Sequence, residues 1–165
     1  MSTNEGKSDE QVTGSLLVVN LRGMVNTRTP VRSTLEQLSI ARRFNATIIQ
    51  DNKVHRGMLN LAKDHVAWCK LDGAIAEKLL RDRGEKSTGS RIEESQLGKE
   101  FTSFAALAKA LESGKVRLAS LRVIRPFFRL SPPKGGFKRS TRRQYGEGGI
   151  LGYNKELPLI VEKMI

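Results

Sequence analysis

Between residues 14 and 72, three short apolar runs alternate with two amphipathic stretches, and this spacing leaves few architectures open. Leu16–Arg22, ending at Gly23, carries consecutive Leu and Val residues and reads as a strand buried on both faces. Thr29 offers an N-cap oxygen and Pro30 a preset first helical position, followed by Val31, Leu35 and Leu38 at helical spacing. Asn45–Gln50 holds Thr47, Ile48 and Ile49 in series and closes on Asp51-Asn52, a strand followed by turn chemistry. Met58, Leu61, Ala62 and His65 repeat a helical face, and Val66–Leu71 reads as a third strand. The resulting order is β-α-β-α-β. Such short crossovers lay both helices on one face of a small sheet, giving two layers and an open face that must be covered or bound.

The rest of the chain, residues 73–165, reads as an extension of this core. Asp72 caps a helix carrying Ile75, Leu79 and Leu80 up to Gly84, and residues 85–99 form a polar loop with Gly89 and Gly98. Thr102 is the expected cap of a second helix, whose stripe is Phe104, Leu107, Ala108 and Leu111 and whose stop is Gly114. Pro126 confines any strand over residues 121–130 to a sheet edge, and Pro132-Pro133-Lys134-Gly135-Gly136 is irregular. Leu157, Ile160, Val161 and Met164 predict a final amphipathic helix. Residues 1–13, with three acids, one lysine and almost nothing apolar, are expected to be a disordered tail.

Charge says what the chain meets. Lys and Arg number 29 against 17 Asp and Glu, a net +12 that calls for an acidic macromolecule. The excess is local: residues 113–143 carry ten cations, from Lys115 to Arg143, and no acid, whereas residues 73–112 hold seven of each sign. Such a segment opposes compaction unless phosphates neutralise it, which points to nucleic acid. Phe127, Phe128, Phe137 and Tyr145 are interleaved with Arg125, Arg129, Lys134, Lys138, Arg139, Arg142 and Arg143. Phe127 and Phe128 are expected to anchor the extension in the core, and Phe137 and Tyr145 to offer rings for base stacking. Residues 134–149 are expected to be a disordered basic loop until RNA binds.

Enzyme readings find little support. The glycine run Gly146-Glu147-Gly148-Gly149-Ile150-Leu151-Gly152 superficially resembles a dinucleotide loop but follows a basic loop rather than a strand opening a helix, so it reads as a turn needing positive φ. No Walker A sequence is present. His55, His65 and Cys69 are too few and scattered for a closed zinc site, and His65 and Cys69 read as packed side chains. Glu93-Glu94 reads as a solvated cluster, and Asp51, His55 and Asp64 as turn and helix-surface residues, so no catalytic, metal or cofactor site is expected. The single cysteine suits a reducing cytoplasm, and no apolar run approaches a membrane span or an export signal.

Taken in order and spacing, several segments resemble the large-subunit ribosomal protein thirty family in its longer archaeal form, related to eukaryotic large-subunit protein seven. They are Leu17-Val18-Val19-Asn20-Leu21-Arg22-Gly23, Thr34-Leu35-Glu36-Gln37-Leu38, His55-Arg56-Gly57-Met58-Leu59, Val66-Ala67-Trp68, residues 128–136 and Gly149-Ile150-Leu151-Gly152-Tyr153. The resemblance covers nearly everything from Leu16 onward and implies an α+β fold: a ferredoxin-like core over residues 14–72 with a helical and basic-loop extension packed on it. Cys69 and Lys70 stand where that pattern has a glycine and an acid. It further implies a structural, non-catalytic constituent of the cytoplasmic 50S subunit, serving translation by binding large-subunit ribosomal RNA near 5S RNA and meeting neighbouring ribosomal proteins, with no membrane and no small-molecule substrate. Carried onto this chain, it gives Arg22, Arg28, Arg32, Arg56 and Lys134 as RNA contacts. Charge and interleaving add Arg129, Lys138, Arg139, Arg142, Arg143 and Tyr145. Two alternatives stay open: an assembly or other RNA-binding factor outside the mature subunit, and an RNA-modifying or phosphoryl-transfer enzyme on the same scaffold.

Overall fold

The consecutive Leu16–Val19 run demands cover on both faces, and the computed structural model, which describes residues 14–94, 97, 101 and 103–165, supplies it. Strand β1 (Ser15–Asn20) is buried along its whole length. Its alternate residues enter two cores: Leu17 and Val19 join one cluster, Leu16 and Val18 the other. The second cluster holds Leu35 of α1 (Thr29–Gln37) and Leu59 of α2 (Lys53–Leu61). The first holds Leu79 and Leu80 of α3 (Gly73–Arg83), Leu107 and Leu111 of α4 (Phe104–Glu112), and Val161 and Met164 of α5 (Leu157–Met164). The expected two-layer ferredoxin-like core is present, and its open face is covered by helices of the extension.

Six strands form one sheet in the order β4-β2-β1-β3-β6-β5. β2 (Asn45–Gln50) and β3 (Val66–Lys70) run antiparallel to β1, with Val19 opposite both Ala46 and Ala67. β4 (Phe128–Arg129) adds a two-residue edge strand to β2, just past Pro126 as the proline required, and Phe128 is fully buried. On the other side β6 (Gly149–Tyr153) and β5 (Ser140–Gln144) join in parallel.

Several local expectations are corrected. β1 stops at Asn20, short of Arg22, because the buried Asn20 side chain turns the chain: its Oδ1 accepts the amides of Arg22 and Gly23, and its Nδ2 donates to the Ile40 carbonyl. Thr29 lies inside the first turn of α1 rather than capping it; Arg28 holds the cap position without a side-chain bond, and Pro30 presets the turn. In α2 the core position falls to Leu59, whereas Leu61 is exposed, because the helix ends there and the chain turns back toward β3. Asn52, Asp72 and Ser103 cap α2, α3 and α4 with their side-chain oxygens. The expected cap Thr102 lies outside the described residues, as does the tail 1–13. Gly114 takes φ 72° after α4, as the left-handed stop requires.

The largest difference falls in residues 134–149, expected to be a disordered basic loop until RNA binds. Five of them, Ser140–Gln144, form β5. The glycine run is only partly a turn: Gly148 has φ 77°, but Gly149 begins β6, where an added Cβ would overlap the Arg143 carbonyl. Glycine serves close backbone approach there, which a reading of turn signals does not separate from a loop.

Candidate nucleic-acid interface

Strand register decides where the cations go. Asn20 pairs with Val66, Val19 with Ala46 and Asn45 with Arg129, so the end of β1 and the starts of β2 and β3 share one end of the sheet with β4. The loop bearing Arg22 and Arg28, the start of α1 with Arg32, and Arg129 all issue there. β6 pairs Ala67 with Gly152, and β5 pairs Ser140 with Gly149, so residues 140–143 overhang the starting end of β3. Arg142 and Arg143 are thereby carried, exposed, past that same end.

Specific contacts lock the two halves together. Gln144 Nε2 donates to Asp64 Oδ1 at 2.9 Å and to the Lys63 carbonyl at 3.3 Å, while Arg22 donates to the Asp64 carbonyl at 3.1 Å. Phe44 and Phe137 stack with centroids 6.1 Å apart, and the Arg43 guanidinium sits 4.6 Å over the Phe44 ring. Arg139 lies 5.4 Å from the Tyr145 ring centroid and 3.3 Å from Glu156 Oε1, which also accepts the Tyr145 hydroxyl. Arg32 pairs with Glu36 one turn on, with both side chains exposed. Arg129 lies 6.0 Å from the Phe127 ring, and Lys134 is exposed with its backbone amide bonded to the Lys163 carbonyl.

Arg56 stands apart from this group. It issues from α2 just after β2, at the opposite end of the sheet, where its Nε and Nη2 contact the buried Asp51 carboxylate at 2.5 and 2.7 Å. Hydrogen bonding to that carboxylate, with its charge, raises the already high pKa of Arg56, so it stays cationic. Phe128 anchors the core as expected, and Phe127 is half-buried. Phe137 packs against the larger core cluster, so its ring is spent on the fold rather than offered for stacking. Arg42 and Arg43, not singled out in the sequence, are exposed at the cationic end; the dibasic pair directly before Phe44 was the available signal.

Chemistry beyond binding finds no assembly. Burial, reinforced by Asp72, pushes the Cys69 thiol up to about 12, so it is no nucleophile at neutral pH. His65 has its pKa lowered by burial and by the Arg22 charge, against an opposing effect of Asp64, and its Nε2 lies 3.1 Å from the Thr27 hydroxyl. Asp51 is engaged by Arg56, His55 Nδ1 donates to the Gln50 carbonyl at 2.7 Å, and Asp64 sits at the other end holding Gln144. These three are not brought together, and among the described residues no cluster of His, Cys, Asp and Glu is arranged to hold a metal.

The structure defines a class: an α+β protein with a ferredoxin-like core, whose extension supplies both the second helical face and much of one cationic end. No protein-family model matches the chain. It is similar to Large ribosomal subunit protein uL30 of Korarchaeum cryptofilum, 40% identical over 91% of this chain and 94% of that protein. The protein of the same name from Cenarchaeum symbiosum is 38% identical over 92% of this chain and 99% of its own length, and that from Nitrosopumilus maritimus 39% over 92% and 98%. The chain belongs to the uL30 family of large ribosomal subunit proteins, in its archaeal form.

Proposed function

We propose that this chain is a structural constituent of the large ribosomal subunit in the cytoplasm, that it binds large-subunit ribosomal RNA through its cationic end near 5S RNA, and that it catalyses no reaction. The observation that supports this most is the convergence at the Lys63–Asp64 turn, where Gln144 ties Arg142 and Arg143 of the extension to the corner held by Arg22 of the core. Arginines from separate elements, fixed in one rigid frame, can bridge phosphates of different RNA helices with bidentate geometry. Such contacts position RNA by its shape and call for no reacting group. Neighbouring subunit proteins are the other partners of the surface. Among the described residues no helix is long and apolar enough to cross a membrane.

Directed cleavage tests this placement. Lys138→Cys, carrying a tethered iron chelate, is assembled into large subunits; the buried Cys69 does not compete for the reagent. The expected result is strand cuts clustered in large-subunit RNA, with further cuts in 5S RNA. Absence of any cut in either RNA would overturn the proposal, and cuts confined to large-subunit RNA would remove the 5S placement.

A further inference from the structure

We propose a second RNA contact on the opposite side of the molecule's charge map: a groove beside the β3–β6 seam that takes one unstacked nucleobase, with its neighbouring phosphate on Lys70 and Arg56. This rests on the RNA-binding reading above. It uses residues of the sheet face that the cationic end does not.

The geometry comes from incomplete cover. Trp68 belongs to the core beneath α1 and α2 but is only half-buried, and its register partner Tyr153 on β6 is 46% exposed. Both line a cavity of about 290 Å³, with Leu16 as its one aliphatic wall and Asp51, Arg56, Asn60 and Lys70 around it. Small-ligand sites start at roughly 300 Å³, so this space suits a single planar ring system rather than a protein helix. An exposed large aromatic beside a second one, on a sheet and flanked by Lys70 and Arg56, is the physics of base stacking.

The site is built rigidly. The Asn154 amide donates to the Trp68 carbonyl at 2.9 Å, pinning the chain just past Tyr153 to the strand bearing Trp68. Two of the Arg56 nitrogens are held by Asp51, and the side chain remains 63% exposed, so its outer edge is aimed without further ordering cost. Lys70 follows Trp68 by two residues in the strand and so shares its face. Asn60 brings an amide with both donors and an acceptor for a base edge. Two aromatics, the outer edge of Arg56 left over from its bond to Asp51, and Lys70, against one aliphatic side chain, favour a nucleotide over an apolar peptide, and the chain's net +12 favours one within RNA.

Trp68 is the only tryptophan, so its emission reports on this groove alone. The full chain is titrated with end-labelled single-stranded oligoadenylate and with a labelled RNA duplex, following anisotropy and Trp68 emission together. The expected result is that both RNAs bind but only the oligoadenylate quenches Trp68. Tyr153→Ser should weaken oligoadenylate binding on the order of tenfold, Tyr153→Phe should retain it, and duplex binding should not move in either variant. Oligoadenylate binding without quenching, or without sensitivity to Tyr153→Ser, overturns the groove while leaving RNA binding in place. Quenching by adenosine monophosphate at equal affinity overturns the RNA assignment in favour of a free nucleotide. No anisotropy change with either RNA sinks the RNA-binding reading and this site with it. In assembled subunits, a photoreactive benzoylphenylalanine replacing Tyr153 should crosslink to RNA, and a crosslink to protein instead overturns the proposal.

Discussion

Replacing Arg139, Arg142 and Arg143 together with alanine is expected to lower the slope of log affinity against log salt for large-subunit RNA by about 2 to 3 units. At roughly 0.1 M salt that corresponds to about a hundredfold weaker binding, because each lost phosphate contact forfeits its released counterion. All three side chains are exposed, two on an overhanging strand and one at its root, so the unfolding midpoint should barely change. Arg139→Ala or Arg143→Ala alone should lower the slope by about one unit or less, with Arg139 the weaker since Glu156 already shares its charge. Filter binding across a salt series reads this directly. An unchanged slope in the triple variant would remove the overhang from the interface.

Phe128→Ala is expected to do the reverse, costing about 3 to 5 kcal/mol of folding stability while leaving the salt slope of the folded protein intact. Phe128 is fully buried in the larger cluster, together with Leu17 and Val19 of β1 and residues of α3, α4 and α5. It also sits on the two-residue strand that joins the extension to β2, backed by the Thr47 hydroxyl donating to the Pro126 carbonyl at 2.7 Å. Against a total of roughly 5 to 15 kcal/mol for a domain, the loss is a large fraction. Because one cluster runs through core and extension, urea unfolding should remain a single transition with a lower midpoint. Two separated transitions, or a loss below about 1 kcal/mol, would show that the extension is not part of the core's cooperative unit.

Where periodicity and turn chemistry agree, the elements were readable residue by residue. Thr47, Ile48 and Ile49 before Asp51-Asn52 give β2 its observed bounds, and Phe104, Leu107, Ala108 and Leu111 before Gly114 give α4 its buried face. The double-sided Leu16–Val19 run also announced that something must cover both faces of β1. β5 was not readable. Ser140–Gln144 contains no hydrophobic residue, and its pairing depends on close approach at Gly149, which looks like loop chemistry in one dimension.

The interface divides in the same way. Clustered charge singles out Lys138 to Arg143 as candidates, whereas Arg42 and Arg43 are diluted in a mildly basic stretch and reach the cationic end only through the loop before β2. Resemblance assigns Arg56 to the RNA surface; its five-residue spacing from Asp51 across the α2 cap sets it in an ion pair at the opposite end of the sheet, beside the proposed groove and away from the other candidate cations. Trp68 and Tyr153 lie 85 residues apart and meet only through the parallel β3–β6 pairing, which no local pattern encodes.

Sedimentation of a cell lysate at moderate and then high salt, with this chain followed by immunoblot, tests the central claim most directly. A structural constituent of the large subunit should be recovered stoichiometrically in the large-subunit peak and survive the high-salt wash. Recovery only at the top of the gradient, or release at modest salt, would contradict that role and favour a transient RNA-binding factor.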